Sequence, residues 1–246
     1  MRFRDFLRHR IPYHEIIVGH HPELRHFLGI GEKAGVLVRH GWLHRKPGWP
    51  PQFGPVIYNG DESYPPRPEM EHQEVCQDFH RLFVVNCRSI DQRVTALPVG
   101  IYPNRTPWRV PLALIGTKRS KLAYCNFSLG NVGQPHYTAK RNKVYNELKK
   151  HSWITFENMG NTHGNYSLCF TTYYRHVAGH MFTVSPEGNG VDCHRTWEAL
   201  YLKSVPIVQR SPEMNHFQDL PILYTDDYTE LTPSYLRRVY SQMLDT

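Results

Sequence analysis

Over much of this 246-residue chain the apolar residues come in short runs rather than long stripes. The runs at 16–18 (Ile-Ile-Val), 36–38 (Val-Leu-Val), 56–58 (Val-Ile-Tyr), 82–85 (Leu-Phe-Val-Val) and 96–101 (Ala-Leu-Pro-Val-Gly-Ile) are apolar on both sides of an extended backbone. Parallel strands covered by helices on both faces read this way. Residues 69–81 predict a helix between two of them, and the proline-rich stretches 46–51 and 64–68 predict loops. Pro103, Pro107 and Pro111 interrupt any element. A linker placed there divides the chain into a domain at 1–110 and a second at 111–246.

The second half has a cleaner rhythm. Strands are predicted at 122–127, 153–156, 181–185, 205–208 and 220–224. Between them fall helices at 139–151, with Val144 and Leu148 on one face, at 173–179, and from His194 onward. Thr232 is a natural N-cap and Pro233 a natural first residue for a final helix. Its apolar residues Tyr235, Leu236, Val239, Tyr240 and Met243 share one stripe. Repeated strand–helix units predict an α/β fold with a doubly wound parallel sheet in each domain. Two such domains facing each other bind ligands in the cleft at the carboxyl ends of their strands.

One segment carries most of the chemistry. Residues 182–200 read Phe-Thr-Val-Ser-Pro-Glu-Gly-Asn-Gly-Val-Asp-Cys-His-Arg-Thr-Trp-Glu-Ala-Leu: a strand, a glycine-rich turn and a helix start. A helix start presents unpaired N–H groups and a positive dipole end, which suit a phosphate. The loop residues Ser185, Glu187, Gly188, Asn189, Gly190 and Asp192, with His194, Arg195 and Thr196, form the candidate cradle. Glu198, one turn along, is placed to accept from ribose hydroxyls. The plain alternatives are that Asp192 caps the helix, that Glu187 is solvated, and that the turn does no more than start the helix. In a parallel domain Asn126 and Ser128 lie at the same sheet edge, and Arg141 reaches it from the next helix. Two arginines beside a helix N-terminus suit a diphosphate.

Charge is consistent with an anionic ligand: the formal net charge is +7. The basic cluster at 140–150 lies on a predicted helix, where a solvated face accounts for it, and no RNA-binding signature occurs. Sixteen histidines are scattered without ligand spacing, so no metal is expected. Five widely spaced cysteines predict reduced thiols. Cys193, beside the loop, reads as a packed thiol. Sequons occur at Asn104, Asn126 and Asn165, with Asn126 assigned to the site and so expected to be silent. No run approaches the ~20 apolar residues of a membrane span, and residues 1–8 lack a signal-peptide core. A soluble, cytoplasmic protein is expected, with a removed membrane anchor as the open alternative.

The pattern Lys121-x-x-Tyr-x-Asn-Phe-Ser128, then Arg141, then the 182–208 run, resembles the exostosin-like glycosyltransferases. More broadly it is similar to GT-B-type enzymes of algae, bacteria and large algal viruses such as the chloroviruses. The run 219–228 (Asp-Leu-Pro-Ile-Leu-Tyr-Thr-Asp-Asp-Tyr) fits the same group. The resemblance covers roughly residues 118–230. Upstream it is limited to 56–61, 83–87 and 97–101, which look like acceptor-side strands. It implies two Rossmann-like domains facing a cleft, a nucleoside-diphosphate sugar as donor and transfer of one sugar to a glycan hydroxyl. The donor diphosphate then lies near Arg141, residues 188–190, His194, Arg195 and Thr196, and Glu198 matches an acidic residue that holds donor ribose.

Inverting transfer needs a general base on the acceptor hydroxyl and positive charge on the departing diphosphate. The arginines and helix dipole meet the second need without a metal. Asp61, at the end of the 56–58 strand, is the candidate base, with Glu62 and Asp91 next. A plain turn role in Asn59-Gly-Asp61 is the competing reading. The donor expected is UDP-linked, with UDP-xylose suggested by the resemblance. GDP-fucose is the main alternative donor. A non-catalytic sugar-nucleotide or glycan-binding module, and a basic nucleic-acid-binding protein, are the alternatives from other classes.

Overall fold

Parallel pairing organises both halves of the chain in the computed structural model, which describes residues 37–39, 56–59, 82–90, 92, 94–101, 113–129, 135–157 and 170–245. In the first half β1 (Leu37–Arg39), β2 (Val56–Asn59), β3 (Leu82–Val85) and β4 (Val94–Leu97) form one sheet in sequential order. Each pairs in parallel with the next: Val38 lies against Tyr58, Ile57 against Phe83, and Val84 against Ala96. The runs expected at 36–38, 56–58 and 82–85 are thus strands. The run at 16–18, the helix at 69–81 and the linker at 102–111 lie outside the described residues.

The strand expected at 96–101 begins two residues earlier and stops at Leu97. Pro98 has no N–H to continue the ladder, and Gly100 adopts φ +70°. Residues 98–101 therefore leave the sheet and are used elsewhere.

The second sheet holds β5 (Lys121–Cys125), β6 (Ile154–Phe156), β7 (His180–Val184), β8 (Val205–Gln209) and β9 (Leu223–Thr225), all parallel, in the order β6-β5-β7-β8-β9. Helices α1 (Pro135–Leu148), α2 (Phe170–Gly179) and α3 (His194–Tyr201) connect successive strands, and α4 (Pro233–Asp245) ends the described chain. From β5 the chain steps one way to β6, then crosses back to β7 and continues outward. With right-handed crossovers this sets α1 on one face and α2 with α3 on the other. The winding reverses between β5 and β7, and a crevice opens there at the strands' carboxyl ends.

Burial follows from that layering. Leu122 to Cys125 on β5 and Val205 to Val208 on β8 are all buried, as strands covered on both faces must be. Val144 and Leu148 of α1 enter the same core. Phe182 of β7 meets Tyr240 of α4 edge-on at 5.7 Å, and Trp197 of α3 meets Phe217 at 4.9 Å. Such pairs add ~0.5–1.5 kcal/mol to their burial.

Helix ends explain the remaining boundaries. α1 starts at Pro135, earlier than the expected residue 139, because proline is well suited to a first helical position. α4 starts as expected, with the Tyr235 N–H donating to Thr232 Oγ1 at 3.2 Å. α3 ends in a Schellman arrangement: the Ser204 N–H donates to the Ala199 carbonyl and the Lys203 N–H to the Leu200 carbonyl. Lys203 occupies the left-handed position there, at φ +65°, where glycine is usual. The Arg119 guanidinium donates to the Leu202 carbonyl at 3.0 Å, placing a cation at the negative end of α3.

Candidate functional site

The crevice between β5 and β7 is lined by the two segments that follow those strands, residues 126–129 and 185–193. The second is knitted to the start of α3 by hydroxyls. Ser185 Oγ lies 2.9 Å from Thr196 Oγ1 and 3.2 Å from Cys193 Sγ, and the Ser185 N–H donates to the Ile207 carbonyl of β8 at 2.9 Å. Ser185 and Thr196 are buried and hold the loop in shape. The Gly188 N–H donates to the Gly190 carbonyl at 2.8 Å, closing a tight turn.

Arg141 arrives from α1. Its Nε donates to the Glu187 carbonyl at 2.8 Å, and its Nη1 donates to the Ser128 carbonyl at 3.0 Å and to Ser128 Oγ at 2.9 Å. Arg195 comes from the first turn of α3. Its Nε donates to the Asn126 carbonyl at 2.8 Å and its Nη1 to the Pro186 carbonyl at 3.4 Å, with the guanidinium 5.7 Å from the Phe127 ring centre. Asn126, Ser128, Arg141, residues 186–188 and Arg195 therefore meet at one place. Burial works against the Arg195 charge, but Cys193, Tyr173, Glu198 and Cys125 around it favour the cation and hold its pKa above the ordinary value. Glu187 is not a solvated loop carboxylate: its Oε1 pairs with Lys140 Nζ at 2.8 Å, and its side chain is largely covered.

The helix start differs from expectation at Asp192. The N-cap of α3 is Cys193, in extended conformation, and no side chain caps the helix. Asp192 is buried. Its carboxylate accepts from the Val99 N–H at 2.7 Å and from Trp197 Nε1 at 2.7 Å, while its own N–H donates to Asn86 Oδ1 at 2.7 Å. Burial pushes the Asp192 pKa up to about 7, opposed by the N–H groups of Val99, Trp197 and Cys193. This residue joins the segments after β3 and β4 to the second sheet, and the N-cap role is corrected, since Cys193 occupies that position.

His194 is engaged in the same way. Its Nδ1 lies 2.6 Å from the Gly100 carbonyl. A carbonyl only accepts, so Nδ1 carries the hydrogen, and the neutral ring then offers Nε2 only as an acceptor. His194 donates to a phosphate only as the imidazolium, which narrows the role expected for it. A third link across the halves is the Arg88–Glu213 ion pair at 3.0 Å.

Glu198 also departs from expectation. It is buried, and its two carboxylate oxygens accept from Tyr173 at 2.9 Å and Tyr174 at 3.4 Å, both on α2. Its contacts tie α2 to α3 and balance Arg195, in place of an open face for ribose. Beside it Tyr124 lies within 5.4 Å of the His176 ring and 5.2 Å of the His180 ring, and Asn126 Nδ2 donates to the Tyr124 hydroxyl at 2.9 Å. The Asn126 side chain is thus taken up internally. Burial pushes the His180 pKa down to about 4.

Asn189 is exposed at the loop tip. The candidate base Asp61 and its alternatives Glu62 and Asp91 lie outside the described residues, as do the sequons at Asn104 and Asn165. Two contributors were not anticipated. In the sequence Lys140 belongs to a basic face accounted for by solvation, and Asn86 carries no motif. Asn86 adopts φ +58°, a conformation asparagine tolerates better than most residues, and a polar residue directly after an apolar strand was the available signal.

Among the described residues no three His, Cys, Asp or Glu side chains group in a way that would hold a metal ion. No helix among them is long and apolar enough to cross a membrane. No protein-family model matches this chain, and no curated protein matches it either.

Proposed function

We propose that this chain is an inverting glycosyltransferase that moves a sugar from a nucleoside-diphosphate sugar to a hydroxyl of a glycan acceptor. The observation that carries the reading is the convergence of Arg141 and Arg195. Both guanidinium groups are anchored on strand-end carbonyls at the reversal between β5 and β7, on either side of residues 186–188. The helix that starts there has no capping side chain. Two oriented cations and a helix N-terminus suit the two phosphates of a leaving nucleoside diphosphate.

In this reading the two parallel sheets belong to two Rossmann-like domains of GT-B type, and Asp192, His194 and Arg88 hold them in register. The acceptor hydroxyl loses its proton to a general base, with Asp61 as the candidate. Its oxygen attacks the anomeric carbon from the side opposite the diphosphate, and the carbon–oxygen bond to the diphosphate breaks. Arg141, Arg195 and the α3 dipole stabilise the negative charge that the leaving group gains, so the step needs no metal. Glu198 acts through Arg195, whose charge it supports. The donor is taken as UDP-linked, in line with the exostosin-like resemblance.

A thermal-shift panel with UDP, GDP, UDP-xylose, UDP-glucose and GDP-fucose, with and without chelator, tests this. At a hundred times Kd a ligand stabilises by ~2.7 kcal/mol, which is a Tm rise of roughly 5–10 °C for a chain of this size. Stabilisation by UDP and UDP-sugars, unaffected by chelator, is the expected result. A response to GDP and GDP-fucose alone reassigns the donor. Binding without any transfer or donor hydrolysis makes the chain a sugar-nucleotide-binding module. No response to any of the five overturns the proposal.

A further inference from the structure

Glu157 directly follows β6, at the carboxyl edge of the second sheet. Its N–H donates to the Cys125 carbonyl at 3.3 Å, which holds it beside the strand that leads into the crevice. Its side chain reaches across to β5 and α2. Oε2 accepts from the Tyr124 hydroxyl at 3.4 Å, and Oε1 lies 3.1 Å from His176 Nδ1. Asn126 Nδ2 donates to the same Tyr124 hydroxyl at 2.9 Å, and the Asn126 carbonyl accepts from Arg195 Nε at 2.8 Å. A continuous run of contacts thus leads from Glu157 through Tyr124 and Asn126 to Arg195.

The Glu157 carboxylate is held in place without being closed in. Its side chain is 27% exposed and that of His176 is 23% exposed, whereas Glu198 is buried. A carboxylate has about four acceptor positions, and the contacts with Tyr124 and His176 take two of them. β6 lies one strand spacing, ~4.8 Å, beyond β5, on the side of the crevice away from β8. In doubly wound sheets a carboxylate beside the phosphate site accepts from the ribose hydroxyls. Glu198 offers no open face for that task, and Glu157 does.

We propose that Glu157 is the ribose-binding residue of this crevice, accepting from the 2′- and 3′-hydroxyls of a nucleoside diphosphate whose phosphates lie against Arg141 and Arg195. This deepens the diphosphate-site reading given above and rests on it. Both ribose hydroxyls then gain charge-assisted hydrogen bonds to one carboxylate. Tyr124 and His176 are positioning residues: each fixes one carboxylate oxygen and leaves the remaining acceptor positions to the ligand.

The test is calorimetric binding of inorganic pyrophosphate, UDP, GDP and the 2′-deoxy forms of both nucleotides to the intact chain and to Glu157→Gln. Losing one hydrogen bond to a charged acceptor weakens binding about tenfold or more. The intact chain is expected to show that loss between the tighter-bound nucleotide and its 2′-deoxy form. In Glu157→Gln the preference for the ribose form is expected to shrink, with pyrophosphate bound equally by both proteins. Should that variant not fold, Glu157→Asp, which keeps the charge but withdraws it by one methylene, carries the same comparison. Equal affinity of the intact chain for the ribose and 2′-deoxy forms overturns the role of Glu157, as does a variant that keeps the full preference. Pyrophosphate weakened as much as the nucleotide shows that Glu157 supports the shape of the crevice instead, and overturns it too. Pyrophosphate binding without nucleotide binding also overturns the ribose role and leaves the diphosphate site standing. If the intact chain binds neither pyrophosphate nor any nucleotide, the diphosphate site itself fails, and the role of Glu157 with it.

Discussion

A β-carbon at Gly188 would lie 2.9 Å from Arg141 Nη2, closer than such contacts allow. The glycine is there because the loop backbone and the guanidinium share the same space. Gly188→Ala must displace the end of the Arg141 side chain, which three hydrogen bonds hold to Glu187 and Ser128. The moving part is a flexible tip, so the folded state is expected to lose little, within about 1 kcal/mol. Diphosphate binding, which depends on where that tip points, is expected to weaken about tenfold. Titration calorimetry with UDP beside a melting curve checks both, and an unchanged Kd would show that the placement of Arg141 does not matter for binding.

The two arginines are expected to respond differently to removal. Arg141 is half-buried and leans on neutral acceptors, so Arg141→Ala removes binding with a modest effect on Tm. Arg195 sits among Tyr173, Glu198 and Cys125, and Glu198 is buried. Arg195→Ala leaves that carboxylate without its cation, a loss on the order of 3 kcal/mol. Combining it with Glu198→Gln is expected to restore much of the stability but none of the UDP binding. Chemical denaturation of the two single variants and the double variant measures the coupling; simple additivity would show that the pair is not coupled.

Asp192 makes the link between the two halves sensitive to pH. Its folded pKa of about 7 is above its ordinary value of 3.8. The folded state therefore binds the proton more tightly, and stability from this group is lost as pH rises from about 4 to about 7. His180 works in the opposite sense: its pKa falls from 6.5 to about 4, so its contribution is lost as pH falls through that range. The net slope mixes the two. The Tm difference between the unaltered chain and Asp192→Asn isolates the first, and it is expected to move against the unaltered chain by several degrees between pH 4 and pH 7. A difference that stays constant with pH would show that Asp192 is ionised throughout.

Asp61 carries the proposed proton transfer. Asp61→Asn is expected to keep UDP binding within about twofold while transfer falls on the order of a hundredfold. Donor-binding calorimetry and a product assay on the same preparation separate the two. Full transfer by this variant would move the base to Glu62 or Asp91.

Local signals in the chain were enough for most of the architecture. Short runs apolar on both faces, bounded by turn signals, read as strands buried between helices, and those at 36–38, 56–58, 82–85, 153–156 and 205–208 fall on parallel strands. Pro98 and Pro135 account for the boundaries that moved, since a missing N–H ends a strand and suits a helix start. The gathering of Asn126, Ser128, Arg141 and Arg195 was legible too. In a parallel sheet every strand ends at the same edge, so residues just after β5 and β7 share it; the strand order then made them neighbours.

The use made of Asp192, His194 and Glu198 was decided by tertiary structure alone. Each has a side chain that the sequence shows to be polar and close to the loop, but a side chain's partner depends on what packs against it from elsewhere. Val99 and Gly100, some 90 residues upstream, take Asp192 and His194. Tyr173 and Tyr174 of a different helix take Glu198. Periodicity reports which face of an element is buried; it carries no record of which distant donor or acceptor will be waiting there.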